Sequence, residues 1–190
     1  AATFDGSTSF MTAGDRLDLG TASLTVMTVI QYANTTQSAS IITKSRYAAT
    51  PGRWGLYRIK DNSSFFAANS AQYHGASTPS GVVLNTAAEL DTSACLLGFD
   101  WARTGTTSQT LYNNGSIAIS SSGYAEDSTP YNSTDQLWIG AYQGTTGTTP
   151  ATTDSYLNGK IAEVVIISTH LSTAERQALE GYLAWKWGTQ

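Results

Sequence analysis

Gly159-Lys160-Ile161-Ala162-Glu163-Val164-Val165-Ile166-Ile167, followed by Ser172-Thr173-Ala174-Glu175 and closing on Gly181-Tyr182-Leu183-Ala184-Trp185-Lys186-Trp187-Gly188, decides the fold. The first run reads as a strand with apolar residues on both faces, so something must cover it from each side. Ser172 suits a helix N-cap and Glu175 the third position of a capping box. A helix of about residues 172–187 is expected. Ala174, Ala178, Tyr182 and Trp185 recur at helical spacing, Leu179 and Leu183 widen the stripe, and this face is expected to pack inward. Arg176 and Glu180 stand i,i+4 and are expected to face solvent. One capped helix behind a strand buried on two sides points to a β-sandwich used for binding.

The rest of the chain agrees. Strands are read at Ala2–Phe4, Ser9–Met11, Ser23–Ala33, Ser38–Ser45, Arg53–Lys60, Ser64–Ala68, Gly81–Asn85, Leu90–Ala102, Thr107–Tyr112, Ser116–Ser120, Gln136–Gln143 and Lys160–Ser168. Within Ser23–Ala33, Leu24, Val26, Thr28 and Ile30 alternate against Thr25, Met27, Val29 and Gln31. Asn113-Asn114-Gly115 is a strong hairpin signal, because Asn and Gly tolerate φ > 0. Asp5-Gly6 is a second turn pair. Residues 144–153, rich in Gly and Thr, read as a long surface loop. So many short strands imply two packed sheets. The expected fold is all-β, a two-sheet antiparallel jelly-roll sandwich with one short C-terminal helix, and residues 1–190 form a single domain.

Composition narrows the function. Charged residues make up 13% of 190 and hydrophobic ones 41%, against a usual charged share of roughly 25%. The chain holds 22 Ser and 28 Thr, so its surface is solvated by hydroxyls and amides more than by ions. Net charge is −4 and no basic stripe is visible, which argues against nucleic acid. No apolar run reaches the roughly 18 residues of a membrane span, and no secretory leader is read at the start. Ala1 opens the chain without Met, which fits initiator removal, processing or excision from a longer chain. Cys95 stands alone among apolar neighbours and is read as a buried thiol.

Chemistry-bearing patterns are sparse. Glu89-Leu90-Asp91 places two carboxylates on one strand face, as jelly-roll glycanases do, but Ala94 stands where the third would be needed. His74 and His170 have no metal-ligand partner at helical spacing. Asp15 and Asp18 near Asp5, and Asp127 or Asp135, are weak calcium donors without EF-hand spacing. Sugar rings stack on flat aromatic faces, and Trp54, Tyr57, Tyr73, Trp101 and Tyr142 fall on or near strand ends as ligand-binding residues. Trp138 and Trp185 are read as packed inside.

The order of these pieces resembles the laminin-G-like, concanavalin A-like lectin/glucanase superfamily. Ala2-Thr3-Phe4-Asp5-Gly6 with Ser9-Phe10-Met11 is similar to its opening strand. The stretch from Ala94 to Asp100, through Leu111-Tyr112-Asn113-Asn114-Gly115, is similar to its central hairpin. Leu137-Trp138-Ile139-Gly140-Ala141, and Gly159 through Trp187, match its late strand and its closing strand and helix. The resemblance implies a jelly roll of the type found in phage structural and bacterial surface proteins. The closing strand of that family usually carries adjacent acidic residues; here Ala162 stands at the first position and only Glu163 remains, so if the pair assists calcium binding in relatives, part of it is lost in this chain.

No catalytic residue is assigned, and no cofactor is expected beyond calcium. The expected function is a non-enzymatic binding or structural module. Its first form is a phage virion component (capsid decoration, head fibre or tail-fibre domain) located in the virion and partnered by other virion proteins. Its alternative is a carbohydrate-binding module of a bacterial surface protein, extracellular and facing cell-surface glycan. A glycanase with an atypical site is the third. An oligomer is compatible with each.

Overall fold

A computed structural model describes residues 1–34, 38–44, 53–60, 67–74, 82–85, 92–103, 107–124, 134–141 and 156–189. Twelve strands and one helix run β1 (Ala2–Asp5), β2 (Met11–Gly14), β3 (Leu24–Tyr32), β4 (Ala39–Lys44), β5 (Arg53–Lys60), β6 (Ala67–His74), β7 (Val82–Asn85), β8 (Cys95–Ala102), β9 (Thr107–Asn113), β10 (Ser116–Tyr124), β11 (Leu137–Ile139), β12 (Asn158–Ile167) and α1 (Thr173–Trp187). They form two six-stranded sheets, ordered β1-β12-β3-β8-β9-β10 and β2-β11-β4-β5-β6-β7. Every pairing is antiparallel. This is the expected jelly-roll sandwich.

The closing strand β12 sits beside β3, with Ile161 opposite Ile30 and Ile167 opposite Thr25. One face of this pair supplies Val26, Ile30 and Ile161 to a core shared with Ile42, Trp54 and Leu56 of the second sheet. The other face carries Met27, Val29, Ala162 and Val165 under Leu179 and Leu183 of α1. Apolar character on both sides of one strand is thereby satisfied by two different layers. A register shift between Ile161 and Glu163 interrupts the ladder. Such a bulge re-aims side chains, and Glu163 reaches the end of α1. There its Oε2 accepts from Trp187 Nε1 at 2.7 Å and pairs with Lys186 Nζ at 2.9 Å. The Lys186 and then the Trp187 hydrogen bonds hold the Glu163 carboxyl below its ordinary pKa.

Local chemistry places the turns. Asn114 (φ 47°) and Gly115 (φ 76°) make the tight connection between β9 and β10, as the Asn-Gly signal predicts. Asn114 also clips β8, accepting from Leu96 N and donating to Leu96 O, both at 2.8 Å. β11 is shorter than the sequence suggests. Gly140 turns the chain at φ 82°, and a Cβ there would lie 2.4 Å from the Phe4 ring. β6 extends to His74, through residues read as a polar loop, because each has a ladder partner on β5. Polarity hid this strand: Asn69, Ser70 and Gln72 carry no apolar period.

The helix ends as its sequence dictates. Ser172 Oγ accepts from Glu175 N at 3.3 Å while Glu175 Oε2 accepts from Ser172 N at 2.9 Å. Gly188 adopts the left-handed C-cap, its N–H donating to Ala184 O. Its rotation about its own axis is the correction. Arg176, Glu180 and Leu183 are buried, while Ala174, Ala178, Tyr182 and Trp185 face out. The sheet offers a narrow apolar strip of Met27, Val29 and Leu96, which the leucine pair fills. The charges are tolerable inside because Arg176 Nη1 pairs with Glu180 Oε1 and its guanidinium lies 4.0 Å from the centre of the Tyr112 ring. No described helix is long and apolar enough to cross a membrane.

Trp185 is 77% exposed, so Trp185→Ala is expected to leave the melting temperature nearly unchanged. Trp101→Ala empties a core site and is expected to cost about 3–5 kcal/mol; parallel thermal melts compare the two. At the first turn, Asp5 accepts from Ser7, Thr8 and Ser9 N–H groups at 2.8–2.9 Å and from the Thr8 hydroxyl. The Thr8 hydroxyl and then these amides hold its pKa well below the usual carboxylate range. A depressed folded pKa stabilises above the unfolded value and is lost as pH falls. The melting gap between wild type and Asp5→Asn is therefore expected to hold from about pH 7 to about pH 5 and to narrow progressively as pH falls further below about pH 4.

Candidate functional site

The aromatic residues singled out from sequence divide sharply. Trp54 is 1% exposed and Trp101 0%, and both belong to the core shared by the sheets. An indole with no free face cannot stack a sugar, so these two are structural; the alternation of β5 and β8 turns them inward. Tyr57 is half-buried and lies on the face of β5 opposite to Trp54. A Cβ on Gly55 would stand 2.5 Å from the Tyr57 ring edge and hydroxyl, so the ring rests on bare backbone. Tyr73 occupies the register position opposite Trp54, and its side chain is outside those described. Tyr142 lies outside the described residues. The outer face of the second sheet also carries a pair the sequence did not reveal: Phe10 stacks on Trp138 with centroids 4.8 Å apart. Trp138 is buried as expected, but beneath Phe10 and away from the shared core.

A cleft of about 330 Å³ opens where β1, β12 and the end of β3 meet. Gln31, Asn158 and Lys160 wall it, with Thr3 and Thr92 at the rim and the buried Phe4 and Tyr32 behind. Its frame is hydrogen-bonded: Gln31 Nε2 donates to Thr92 O at 3.0 Å, and Ala33 N donates to Asn158 O at 3.0 Å. A Cβ on Gly159 would fall 2.2 Å from Gln31 O, so only glycine lets β12 run this close to β3. Sequence reading missed this site. Gln31 and Lys160 are polar residues on separate strands, brought opposite each other only by the β3–β12 register.

The calcium donors are already engaged. Asp15 Oδ1 lies 2.8 Å and Asp18 Oδ1 3.2 Å from Lys44 Nζ, which also donates to Asp135 O at 3.1 Å. A buried ammonium thus fills the space between the carboxylates. Among the described residues no group of three or more His, Cys, Asp or Glu side chains could hold a metal. Glu89, Asp91 and Asp127 lie outside the described residues, and His74 is on β6 with its side chain outside those described. Cys95 is buried and forms no disulfide.

His170 meets a carboxylate that sequence spacing did not pair with it. Its Nε2 is 3.0 Å from Asp100 Oδ2, and the Thr25 hydroxyl is 2.7 Å from Asp100 Oδ1 and 2.8 Å from Thr169 O. A nucleophile–His–carboxylate triad needs the imidazole between the other two. Here the carboxylate stands in the middle, so the cluster fastens the lead-in of α1 to β8. Burial pushes the Asp100 carboxyl pKa up, against the pull of the Thr25 hydrogen bond and His170.

No protein-family model matches this chain, and no curated protein matches either. Solved structures do. The NanB sialidase from Streptococcus pneumoniae superposes with a TM-score of 0.70 at 13% identity, over 94% of this chain and 27% of that chain. The CBM40 of the Ruminococcus gnavus IT-sialidase, bound to α2,3-sialyllactose, gives 0.63 at 15% identity over 92% and 94%. A heptameric SAP-like pentraxin from Limulus polyphemus gives 0.66 at 13% identity over 94% and 80%. The chain spans only about a quarter of the sialidase. At such identities the likeness establishes the fold alone, a two-sheet jelly roll.

Since Lys44 fills the space between Asp15 and Asp18, millimolar calcium or excess chelator is expected to leave the wild-type melting temperature unchanged. Lys44→Ala should lower it, through a loss of stability of about 3–5 kcal/mol for a broken buried pair less solvent screening of the two half-exposed aspartates. A calcium-dependent rise in the wild-type melt that Asp15→Asn abolishes would place the ion at these residues after all.

Proposed function

We propose that this chain is a carbohydrate-binding module without catalytic activity of its own, and that the cleft between β1, β3 and β12 takes the sugar. The cleft carries the reading. Its 330 Å³ stands at the small end of ligand sites, which suits a terminal sugar residue more than a long polymer. Its amide and hydroxyl walls match a hydroxyl-rich ligand, and Lys160 supplies one exposed cation for the carboxylate of an acidic sugar. The shared fold of a module crystallised with sialyllactose supports the same class.

The finer laminin-G-like assignment, and work at an extracellular or bacterial surface on cell-surface glycans, belong to this proposal. A virion component could be built on the same sandwich, but no observation favours it over glycan binding. The outer face of the second sheet, with Tyr57 laid on Gly55, is the competing contact surface within the carbohydrate reading.

Titration calorimetry with α2,3-sialyllactose and with lactose tests the proposal. Binding is expected for the acidic sugar, and Lys160→Ala or Gln31→Ala should weaken it at least about tenfold, or 1.4 kcal/mol, at unchanged melting temperature. Tyr57→Ala should bind as wild type. Loss in Tyr57→Ala with the cleft variants intact moves the sugar to the second sheet. If a broad glycan array stays blank, the carbohydrate reading fails; reducing-sugar release by pure protein would overturn the absence of catalysis.

A further inference from the structure

The outward face of α1 is inverted relative to an ordinary surface helix. Its charged pair Arg176–Glu180 lies underneath, and its outer stripe is Ala174, Ala178, Gly181, Tyr182 and Trp185. Trp185 is 77% and Tyr182 49% exposed. Ala174 and Trp185, eleven positions apart, point within about 20° of each other at 3.6 residues per turn. No charged side chain lies between them along that line. Large exposed aromatics grouped in this way mark an interaction surface.

Gly181 is the second observation. Glycine is the poorest helix former after proline, yet it sits mid-helix on the exposed side. Among the described residues nothing requires it, since a Cβ there would meet no atom of theirs within 4 Å. A bare backbone at that point is useful to something approaching from outside.

We propose that α1 is the contact face of a two-fold dimer of this chain. The stripe is self-complementary. A dyad passing between Leu179 and Glu180 sets two such helices antiparallel, with Ala178 of one copy facing Gly181 of the other. The same dyad lays Trp185 of each copy over Ala174 of its counterpart, so large residues meet small ones at both ends. The charges agree with this pairing and not with a parallel one. Glu175 in the first turn and Lys186 in the last lie on the same edge of the helix at opposite ends, and antiparallel packing brings each beside the opposite sign in the second copy. The helix macrodipoles also oppose.

The size of the surface fixes the strength. The two exposed aromatics leave roughly 250 Å² per copy to be covered, and a single helix pair falls below the roughly 1,200 Å² where stable interfaces begin. The dimer is therefore weak and concentration-dependent. Two copies joined in this way carry two cleft sites and gain avidity on a multivalent surface.

Sedimentation velocity across a concentration series up to about 1 mM reads the dimer directly. The weight-average mass is expected to rise from 20.1 kDa toward twice that value, with a blue shift of tryptophan emission. Gly181→Ala should raise the melting temperature yet weaken the dimer, because it favours the helix and fills the crossing point. Gly181→Lys and Trp185→Ser should remain folded by circular dichroism and monomeric throughout. A wild type that stays monomeric at every concentration overturns the proposal, as does a dimer indifferent to Gly181→Lys. A monomer whose Trp185 emission shifts only on adding phosphatidylcholine vesicles would assign the face to a membrane surface instead.

Discussion

Everything in this sandwich is arranged around the antiparallel pair β3–β12, where the sheet is apolar on both sides. Burial of apolar surface is worth roughly 25 cal/mol per Å², and here it is collected twice from the same strands. Val26, Ile30 and Ile161 contribute to the inter-sheet core, Met27, Val29 and Val165 to the layer beneath α1. The helix is thus a required lid, and its two ends are tied separately. The Asp100–Thr25–His170 cluster fastens the start, and Glu163 fastens the last turn. The bulge beside Ala162 lets one strand serve both duties. It keeps Ile161 and Val164 against the core while Glu163 reaches the helix terminus.

A charge-poor chain also uses its charges in an unusual place. Lys44, Arg58, Asp100, Arg103, Asp135, Arg176 and Glu180 are all buried. Each for which a partner is identified meets an opposite charge, a carbonyl or an aromatic face: Lys44 its aspartates, Arg58 the Tyr32 ring, Arg103 the Trp101 ring, Arg176 both Glu180 and Tyr112. Desolvation makes an unpaired buried ion costly, so these contacts specify one arrangement of the sheets and helix. The exterior is richer in hydroxyls and amides than in charges. Such a surface suits a ligand that is itself rich in hydroxyls, and the cleft proposed for the sugar, walled by Gln31, Asn158 and Thr92 with a single lysine, has the same character.

The candidate site was the least legible part of the sequence. Aromatic residues near strand ends were a reasonable lead, because sugar stacking needs flat faces. Alternation sent Trp54 and Trp101 into the core, and a backbone glycine laid Tyr57 against the sheet. The acidic pair Asp15 and Asp18 was visible as a pattern, but its partner Lys44 lies on another strand, so a metal site and an internal ion pair looked alike. The cleft gave no signal. Gln31 and Lys160 become neighbours through sheet register, which no local spacing encodes.

What the sequence by itself determined was local and periodic. The two-sided closing strand, the Asn114-Gly115 turn, the Ser172–Glu175 capping box and the apolar run of β8 each follow from side-chain period or backbone freedom within a few residues, and together they require a two-sheet sandwich closed by a helix. Tertiary structure alone decided which way that helix turned. Its sequence offered two stripes, Ala174–Ala178–Tyr182–Trp185 and Leu179–Leu183, and helical spacing is equally content with either. The strip of Met27, Val29 and Leu96 accepts the leucines, Tyr112 and Glu180 satisfy Arg176 from below, and Glu163 pins the last turn. Those contacts rotate Trp185 into solvent, because packing is settled by the surface a helix meets and not by the helix alone.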